Sequence, residues 1–277
     1  MNNNESVCII GGGISGLTTS YYLSKFYKNI TIIEKSSDIC QYASKNNAGT
    51  IFSSRVSPLK YSSIDCNYII KNNHFIKFDF TLLKWGIYNF LSTHSAIGFN
   101  NYNNILKYRK IINDEFNKTC SELDIIPKKG ILMLFNDSDS LEKNVKQYED
   151  YKSDYILNKK INCFKSKYNI FLPCDSTMNS ENLINKMKYK SKNIKILTNT
   201  YATGFMYKNN KIDKITTNNG DIKADKYVYC CNSSNFYNLN MIKITGLSWT
   251  FPYIKKNNDK YHSIIKNNMF HSIFQDK

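Results

Sequence analysis

The chain has 277 residues, of which 42% are hydrophobic and 14% aromatic, and this is enough material for one large or two small globular domains. Its formal net charge is +16, but the lysines are scattered among asparagines and not gathered on one helix face, so we expect no specific nucleic-acid partner. Peripheral contact with an anionic membrane surface stays open. No apolar run reaches the roughly 18 residues of a transmembrane helix, and the polar start does not resemble a signal peptide, so we expect a cytoplasmic chain.

A buried strand, a glycine-rich turn and a helix open the chain. Val7–Ile10 is apolar, and Gly11, Gly13 and Gly16 follow at the spacing of a dinucleotide-binding loop. The first glycine allows the tight turn, the second allows a pyrophosphate to approach, and the third allows the helix to pack on the strand. We expect the helix to continue to Lys28-Asn29. The candidate cofactor contacts here are Ile10, Gly11, Gly12, Gly13, Ile14, Ser15, Gly16 and Leu17.

A second strand, Ile30–Ile33, ends in an acidic residue. Glu34 stands 18 residues after Gly16, where a carboxylate that binds the ribose hydroxyls is expected. An acid at this position argues against a ligand with a 2′-phosphate. This unit does not distinguish FAD from NAD, because both cofactors present the same ADP half.

The segment that follows resembles a known family. Together with Gly11–Leu17 and Glu34-Lys35, the run Ser44–Gly49 resembles the D-amino acid dehydrogenase branch of the FAD-dependent amine and amino-acid oxidoreductases. Further similar motifs follow in the family's order: Leu83-Lys84-Trp85, Gly130–Phe135, Leu172-Pro173 with Asp175, and Ile222–Val228. The resemblance implies FAD as the cofactor and disfavours a simple NAD-dependent enzyme. It also implies flavin or nucleotide contacts at Lys35, Ser44, Asn47, Ala48 and Gly49.

Three β-rich runs lie near the end of the predicted cofactor domain. Tyr201–Tyr207, Lys211–Thr217 and Ile222–Cys231 are separated by Asn209-Asn210 and Asn219-Gly220, which favour hairpin turns. A plain antiparallel sheet without a ligand fits this local pattern equally well. The resemblance implies a three-stranded meander whose last strand re-enters the parallel sheet, with an adenine contact near Ala202.

The family comparison and the element pattern together predict the fold class. We expect an α/β chain with a Rossmann-like FAD-binding domain that carries the inserted meander, plus an incomplete α+β substrate domain. The FAD-binding domain is assigned to residues 1–80 and 175–235, and the partial substrate domain to residues 81–174 and 236–277. In the second domain we expect helices over Thr81–Ser92 and Asn104–Leu123 and a strand over Gly130–Phe135.

The cysteines and histidines form no metal-site pattern. Eight cysteines include no CxxC spacing, so we expect reduced thiols and no bound metal. Four histidines are not spaced as ligands or as a catalytic base, which disfavours a hydrolase.

The resemblance implies an oxidoreductase that moves hydride from an amine or amino-acid substrate to flavin. No catalytic residue is assigned, and the single candidate is Arg55, in the loop after the flavin-facing motif. Because the chain stops within what resembles the substrate domain, an alternative remains open. The chain would then be a non-catalytic FAD-binding remnant, or one part of a split enzyme completed by a second polypeptide.

Overall fold

A computed structural model of the chain describes residues 3–45, 47, 49–53, 108, 111–135, 137–150, 154–158, 167–191, 193–231, 263–266 and 269–272. Two compact units share the chain: Met1–Gly49 with Asn179–Trp249, and Thr50–Met178 with Thr250–Lys277. The predicted domain boundaries at residues 80, 174 and 235 stay predictions. The helix predicted over Thr81–Ser92 lies outside the described residues.

The described residues form both helices and strands. In chain order the strands are β1 (Asn3–Ile10), β2 (Tyr27–Ile33), β3 (Thr50–Ile51), β4 (Lys128–Phe135), β5 (Ile156–Leu157), β6 (Tyr168–Thr177), β7 (Lys195–Leu197), β8 (Ala202–Lys208), β9 (Lys211–Thr217), β10 (Gly220–Ile222), β11 (Lys226–Tyr229), β12 (Ser263–Lys266) and β13 (Met269–Ser272). The helices are α1 (Ile14–Leu23), α2 (residues 111–122), α3 (Ser138–Asp150) and α4 (Ser180–Lys190).

The helix after the glycine turn is shorter than the sequence predicts. We expected it to end at Lys28-Asn29, but α1 ends at Leu23 and Ser24 is its C-cap. The reason is strand pairing, because Tyr27 already lies beside Asn3 of β1 in the parallel sheet. The helix therefore ends because the next residues form hydrogen bonds in the parallel sheet, although none of their side chains would itself break a helix.

A parallel sheet in the order β11-β1-β2-β7 forms the centre of the first unit. Ile10 at the end of β1 lies beside Ile33 of β2 on one side and Tyr229 of β11 on the other. The carboxyl ends of these three strands therefore meet at one edge, which is where ligands bind in open parallel sheets. The mixed α/β character and the parallel sheet confirm the coarse fold prediction.

The two faces of β1 pack against different layers. Cys8 and Ile10 join a buried cluster with Ala202 of β8 and Ile215 of β9. Ile9 points the other way, and its side chain lies under α1 next to Gly16. Alternate side chains of one strand thus fill two cores.

Three antiparallel strands, in the order β10-β9-β8, stand in the sequence between β7 and β11. The β8–β9 turn is formed by Asn209 and Asn210, with φ angles of 52° and 59°. Asparagine tolerates this left-handed conformation better than most residues, and a two-residue hairpin turn requires it. Asn219 in the next turn donates to the Asn199 carbonyl at 3.2 Å, which ties the turn to the loop after β7.

In the second unit, a mixed sheet has the order β13-β12-β4-β6-β3, and β5 also pairs with β6. Leu141 and Tyr148 of α3 pack in a buried cluster with residues of β4 and β6, namely Ile131, Met133, Phe135, Ile170 and Leu172. The predicted strand over Gly130–Phe135 is confirmed, two residues longer at its start. Among the described helices none is long and apolar enough to cross a membrane.

Candidate cofactor site

The glycine loop adopts a tight turn at the end of β1. Gly11 has φ +103°, a conformation that favours glycine, and its N–H donates to the Ile33 carbonyl at 2.9 Å. A Cβ on Gly16 would overlap the Gly11 carbonyl oxygen. The turn and the helix can therefore approach this closely only because both positions lack a side chain.

The other two glycines differ in their surroundings. A Cβ on Gly12 would lie 2.6 Å from Cγ2 of Ile39, so Gly12 is enclosed. A Cβ on Gly13 would meet only the Ser44 hydroxyl, at an ordinary contact distance of 3.6 Å. Gly13 is thus the loop position at which the protein itself leaves room.

Glu34 is held by three hydrogen bonds in a position that is only 9% exposed. Its Oε2 accepts from the Gly12 N–H at 2.7 Å. Its Oε1 accepts from the Ser36 N–H at 2.9 Å and from the Ser36 hydroxyl at 2.8 Å. Two of these donors are backbone groups, so the carboxylate is fixed against the loop before any ligand arrives.

Ser44 reaches the same loop from the segment after β2. Its Oγ accepts from the Ile14 N–H at 2.9 Å. The N-cap residue of α1 is Gly13, which has no side chain to cap the helix. Ser44 therefore supplies the capping oxygen that the N-cap residue lacks.

The remaining predicted site residues differ in their exposure and in the groups that they contact. Lys35 is exposed and its Nζ lies 5.9 Å from the centre of the Tyr42 ring. Asn47 accepts from the Gly49 N–H at 2.8 Å in a local turn. Ala202 is buried at the start of β8, within the cluster around Cys8. Ala48 and Arg55 lie outside the described residues.

The sequence reasoning missed two residues that contact this region. Ser36 orients Glu34, and the signal for it was a serine two positions after the acid, a spacing typical of local side-chain to backbone turns. Cys40 donates its backbone N–H to the Gly12 carbonyl at 2.8 Å and has φ 60°. No sequence pattern would have identified Cys40.

Burial governs the titration of the thiols around the loop. It raises the pKa of Cys40 to about 11 and that of Cys231 to about 11. Both groups are therefore protonated at neutral pH and can act as S–H donors. At Asp38, which is exposed, a hydrogen bond from the Lys188 side chain lowers the pKa of the carboxyl group.

A glycine loop at the carboxyl edge of a parallel sheet, with an acid after the neighbouring strand, places the protein in a class of α/β proteins that bind ligands at this edge. A family model described as FAD dependent oxidoreductase (DAO) matches residues 6–273. The chain belongs to this family, whose cofactor is FAD.

Relatives and solved structures agree with this membership. A D-amino acid dehydrogenase of Helicobacter pylori strain J99 is 27% identical over 255 residues, which cover 81% of this chain and 59% of that protein. One from Vibrio atlanticus is 22% identical and covers 87% of this chain and 64% of its own length. The structure of L-proline dehydrogenase from P. horikoshii shares the fold with a TM-score of 0.54 and 18% identity, covering 84% of this chain and 54% of that one. The chain thus spans about 59% of the length of the Helicobacter relative.

Proposed function

We propose that the first unit holds FAD over the glycine loop, with Glu34 on a ribose hydroxyl and the amino end of α1 toward the pyrophosphate. The residues fit this ligand. Glu34 uses three of its roughly four acceptor positions within the protein, so one is left for a hydroxyl. Gly13 leaves room for a phosphate to approach the backbone. The observation that carries the proposal is that Glu34 and Ser44 both bind the backbone of one glycine loop.

Other contacts belong to the same proposal as candidates. They are the loop and helix residues Ile10, Gly11, Gly12, Ile14, Ser15, Gly16 and Leu17, and beyond them Lys35, Asn47, Ala48, Gly49 and Ala202. Ser15 and Gly16 contribute N–H groups from the first turn of α1, where an anion is favoured by the helix dipole.

The proposed activity is oxidation of an amine or amino acid. FAD, when bound, supplies a hydride acceptor for the Cα–H bond of such a substrate. The chain's own residues bind and orient the cofactor, and Glu34 does so from a buried position in which Ser36 holds its carboxylate. The substrate class is supported by the D-amino acid dehydrogenases among the relatives. Arg55 remains a candidate catalytic residue.

The proposed architecture follows the family. Residues 1–80 and 175–235 form a Rossmann-like domain in which β8, β9 and β10 are the inserted meander. Residues 81–174 and 236–277 form a partial α+β substrate domain. A cytoplasmic location is supported by the buried free thiols of Cys8, Cys40 and Cys120, which suit a reducing compartment.

The test begins with the visible spectrum of the purified full chain after incubation with FAD and gel filtration. A retained flavin spectrum is expected, and it should be weaker in Gly13→Ala at equal protein concentration. A chain that retains no flavin would contradict the proposal.

A mixture of D-amino acids is then added without oxygen. Bleaching of the flavin bands is expected for a dehydrogenase. Bands that persist would favour the alternative, a non-catalytic FAD-binding chain or one part of a split enzyme. Activity that returns on addition of a second polypeptide would establish the split form.

A further inference from the structure

The turn between β9 and β10 contacts the loop that follows β7. The Asn218 side chain donates to the Asn199 carbonyl at 3.0 Å, and the Asn219 side chain donates to the same carbonyl at 3.2 Å. Asn219 also donates to the Thr200 hydroxyl at 3.0 Å. Asn199 has φ 51°, a left-handed conformation that few residues adopt, and the two amide donors fix its carbonyl in that conformation.

The same loop is bonded to the segment that carries the buried acid. The Asn199 N–H donates to the Ser36 carbonyl at 2.9 Å, and the Thr200 N–H donates to the Glu34 carbonyl at 2.9 Å. Glu34 also donates its own N–H to the Leu197 carbonyl at 2.9 Å. The backbone on both sides of the acid is therefore held by the end of β7 and the loop after it.

Ser36 connects this backbone pairing to the carboxylate. Its N–H and its hydroxyl both donate to Oε1 of Glu34, while its carbonyl accepts from Asn199. A shift of Ser36 thus moves two of the three donors that hold the carboxylate. Ser36 is 8% exposed and Thr200 is 4% exposed, so water does not readily replace a bond lost at either residue. The turn is coupled to the carboxylate through Asn199 and Ser36.

We propose that Asn218 and Asn219 are positioning residues for the Glu34 carboxylate, and that the turn between β9 and β10 thereby determines how strongly the site recognises a ribose 2′-hydroxyl. The recognition of the hydroxyl rests on the proposed FAD site, whereas the positioning of the carboxylate does not. A hydroxyl donor needs a carboxylate oxygen at the right distance and angle, and these are set by the residues that hold the carboxylate.

Asn219→Asp is the informative variant, because a carboxylate has nearly the shape of the amide but donates no hydrogen bond. Asn219→Ala is the second variant, which removes the donors without adding a charge. The backbone of Asn219 is not in the left-handed region, so alanine introduces no strain there. Asn210→Asp is the matched control, since Asn210 is an exposed asparagine in the other turn of the same three antiparallel strands.

The first measurement needs no nucleotide. Amide hydrogen exchange of the full chain, read by peptide mass spectrometry, should be faster at Ser36 in both Asn219 variants by at least about threefold. Asn210→Asp should keep the wild-type rate at Ser36. Wild-type exchange at Ser36 in both Asn219 variants would overturn the proposal. So would an equal acceleration at Val7–Ile10, because the turn would then support the whole parallel sheet and not the acid.

The second measurement compares ADP with 2′-deoxy-ADP by calorimetric titration of the full chain. Wild type should bind ADP about tenfold more tightly, since a hydroxyl that donates to a carboxylate makes a strong hydrogen bond. Both Asn219 variants should lower this ratio by at least about threefold, while Asn210→Asp keeps it. The ratio is informative because a general weakening of the fold, or an added charge, affects both nucleotides equally.

A wild-type ratio in the Asn219 variants would overturn the effect on ribose recognition. If wild type binds neither nucleotide, or does not distinguish them, the proposed contact of Glu34 with a ribose hydroxyl fails. The exchange measurement then still decides whether the turn positions the carboxylate.

Discussion

The hydroxyl of Ser44 caps helix α1 from 30 residues away, with 2.9 Å between its Oγ and the backbone nitrogen of Ile14. The helix begins after Gly13, so it has no capping side chain of its own. This arrangement combines two demands on one turn. A glycine leaves space next to the helix end, and a serine from another segment satisfies the N–H group that the glycine leaves uncapped.

Ser44→Ala removes this cap. We expect the free energy of unfolding to fall by about 1 kcal/mol, the usual cost of deleting a capping oxygen. Urea unfolding of the full chain measures the change. Ser37→Ala is the matched control, because Ser37 is an exposed serine of the same segment. Equal stability of the two variants would show that the Ser44 bond contributes nothing.

Gly13→Ala should weaken FAD binding with little effect on stability, whereas Gly16→Ala should lower the stability of the fold. Alanine at position 13 meets only an ordinary contact, so folding should change by less than about 1 kcal/mol. FAD affinity should fall by about tenfold or more, equivalent to about 1.4 kcal/mol, because the methyl group occupies the space assigned to the pyrophosphate. Alanine at position 16 overlaps the Gly11 carbonyl and should cost about 1–3 kcal/mol of stability.

Thermal unfolding and titration of flavin fluorescence separate these two effects. A Gly13→Ala chain that binds FAD as tightly as wild type would argue against a phosphate at this position.

Glu34→Gln should destabilise the chain even without cofactor. Both carboxylate oxygens accept from backbone N–H groups, of Gly12 and Ser36, but a glutamine has only one acceptor oxygen. One buried N–H then faces an amide NH2 group, at a cost of about 1–3 kcal/mol. Ser36→Ala removes only the hydroxyl donor and should cost less. Denaturant unfolding measures the loss of stability in both variants. A larger loss in Ser36→Ala than in Glu34→Gln would show that the Ser36 hydroxyl contributes more to stability than the acid.

Asp225 should make stability depend on pH in acid. Hydrogen bonds from the Ser6 N–H and the Ser6 hydroxyl, both at 2.7 Å, hold the Asp225 pKa below its ordinary value of 3.8. A depressed folded-state pKa means that the charged carboxylate stabilises the fold above that ordinary value, and that this contribution is lost as the pH falls below it.

The Tm of wild type should therefore exceed that of Asp225→Asn at neutral pH, and the two should converge below about pH 4. Ser6→Ala keeps the backbone donor and should show a smaller pH dependence of the same sign. A gap between wild type and Asp225→Asn that persists at low pH would show that the hydrogen bonds do not depend on charge.

Local patterns account for the parts of the fold that the sequence predicts well. The strand before Gly11, the strand before Glu34 and the apolar run after Gly130 follow from side-chain periodicity and from turn residues close by. The end of α1 at Leu23 was missed because the competing force, parallel pairing of Tyr27 with Asn3, involves a distant segment. Strand β10 was likewise missed, because it begins at Gly220, which the sequence assigns to a turn, and only its last residue, Ile222, belongs to the run predicted over Ile222–Cys231.

Local sequence patterns are enough to identify the glycine loop, the acid after the second strand and, through resemblance, membership of the FAD-dependent oxidoreductase family. The groups that contact that loop are known from the folded chain alone. Ser44 lies 30 residues from Ile14, and Cys231 lies 221 residues from Ile10, and neither has a side chain unusual enough to mark its role. The physical reason is that turn chemistry and periodicity act between neighbours in the chain, whereas capping and thiol contacts depend on which strand ends the parallel sheet brings to one edge.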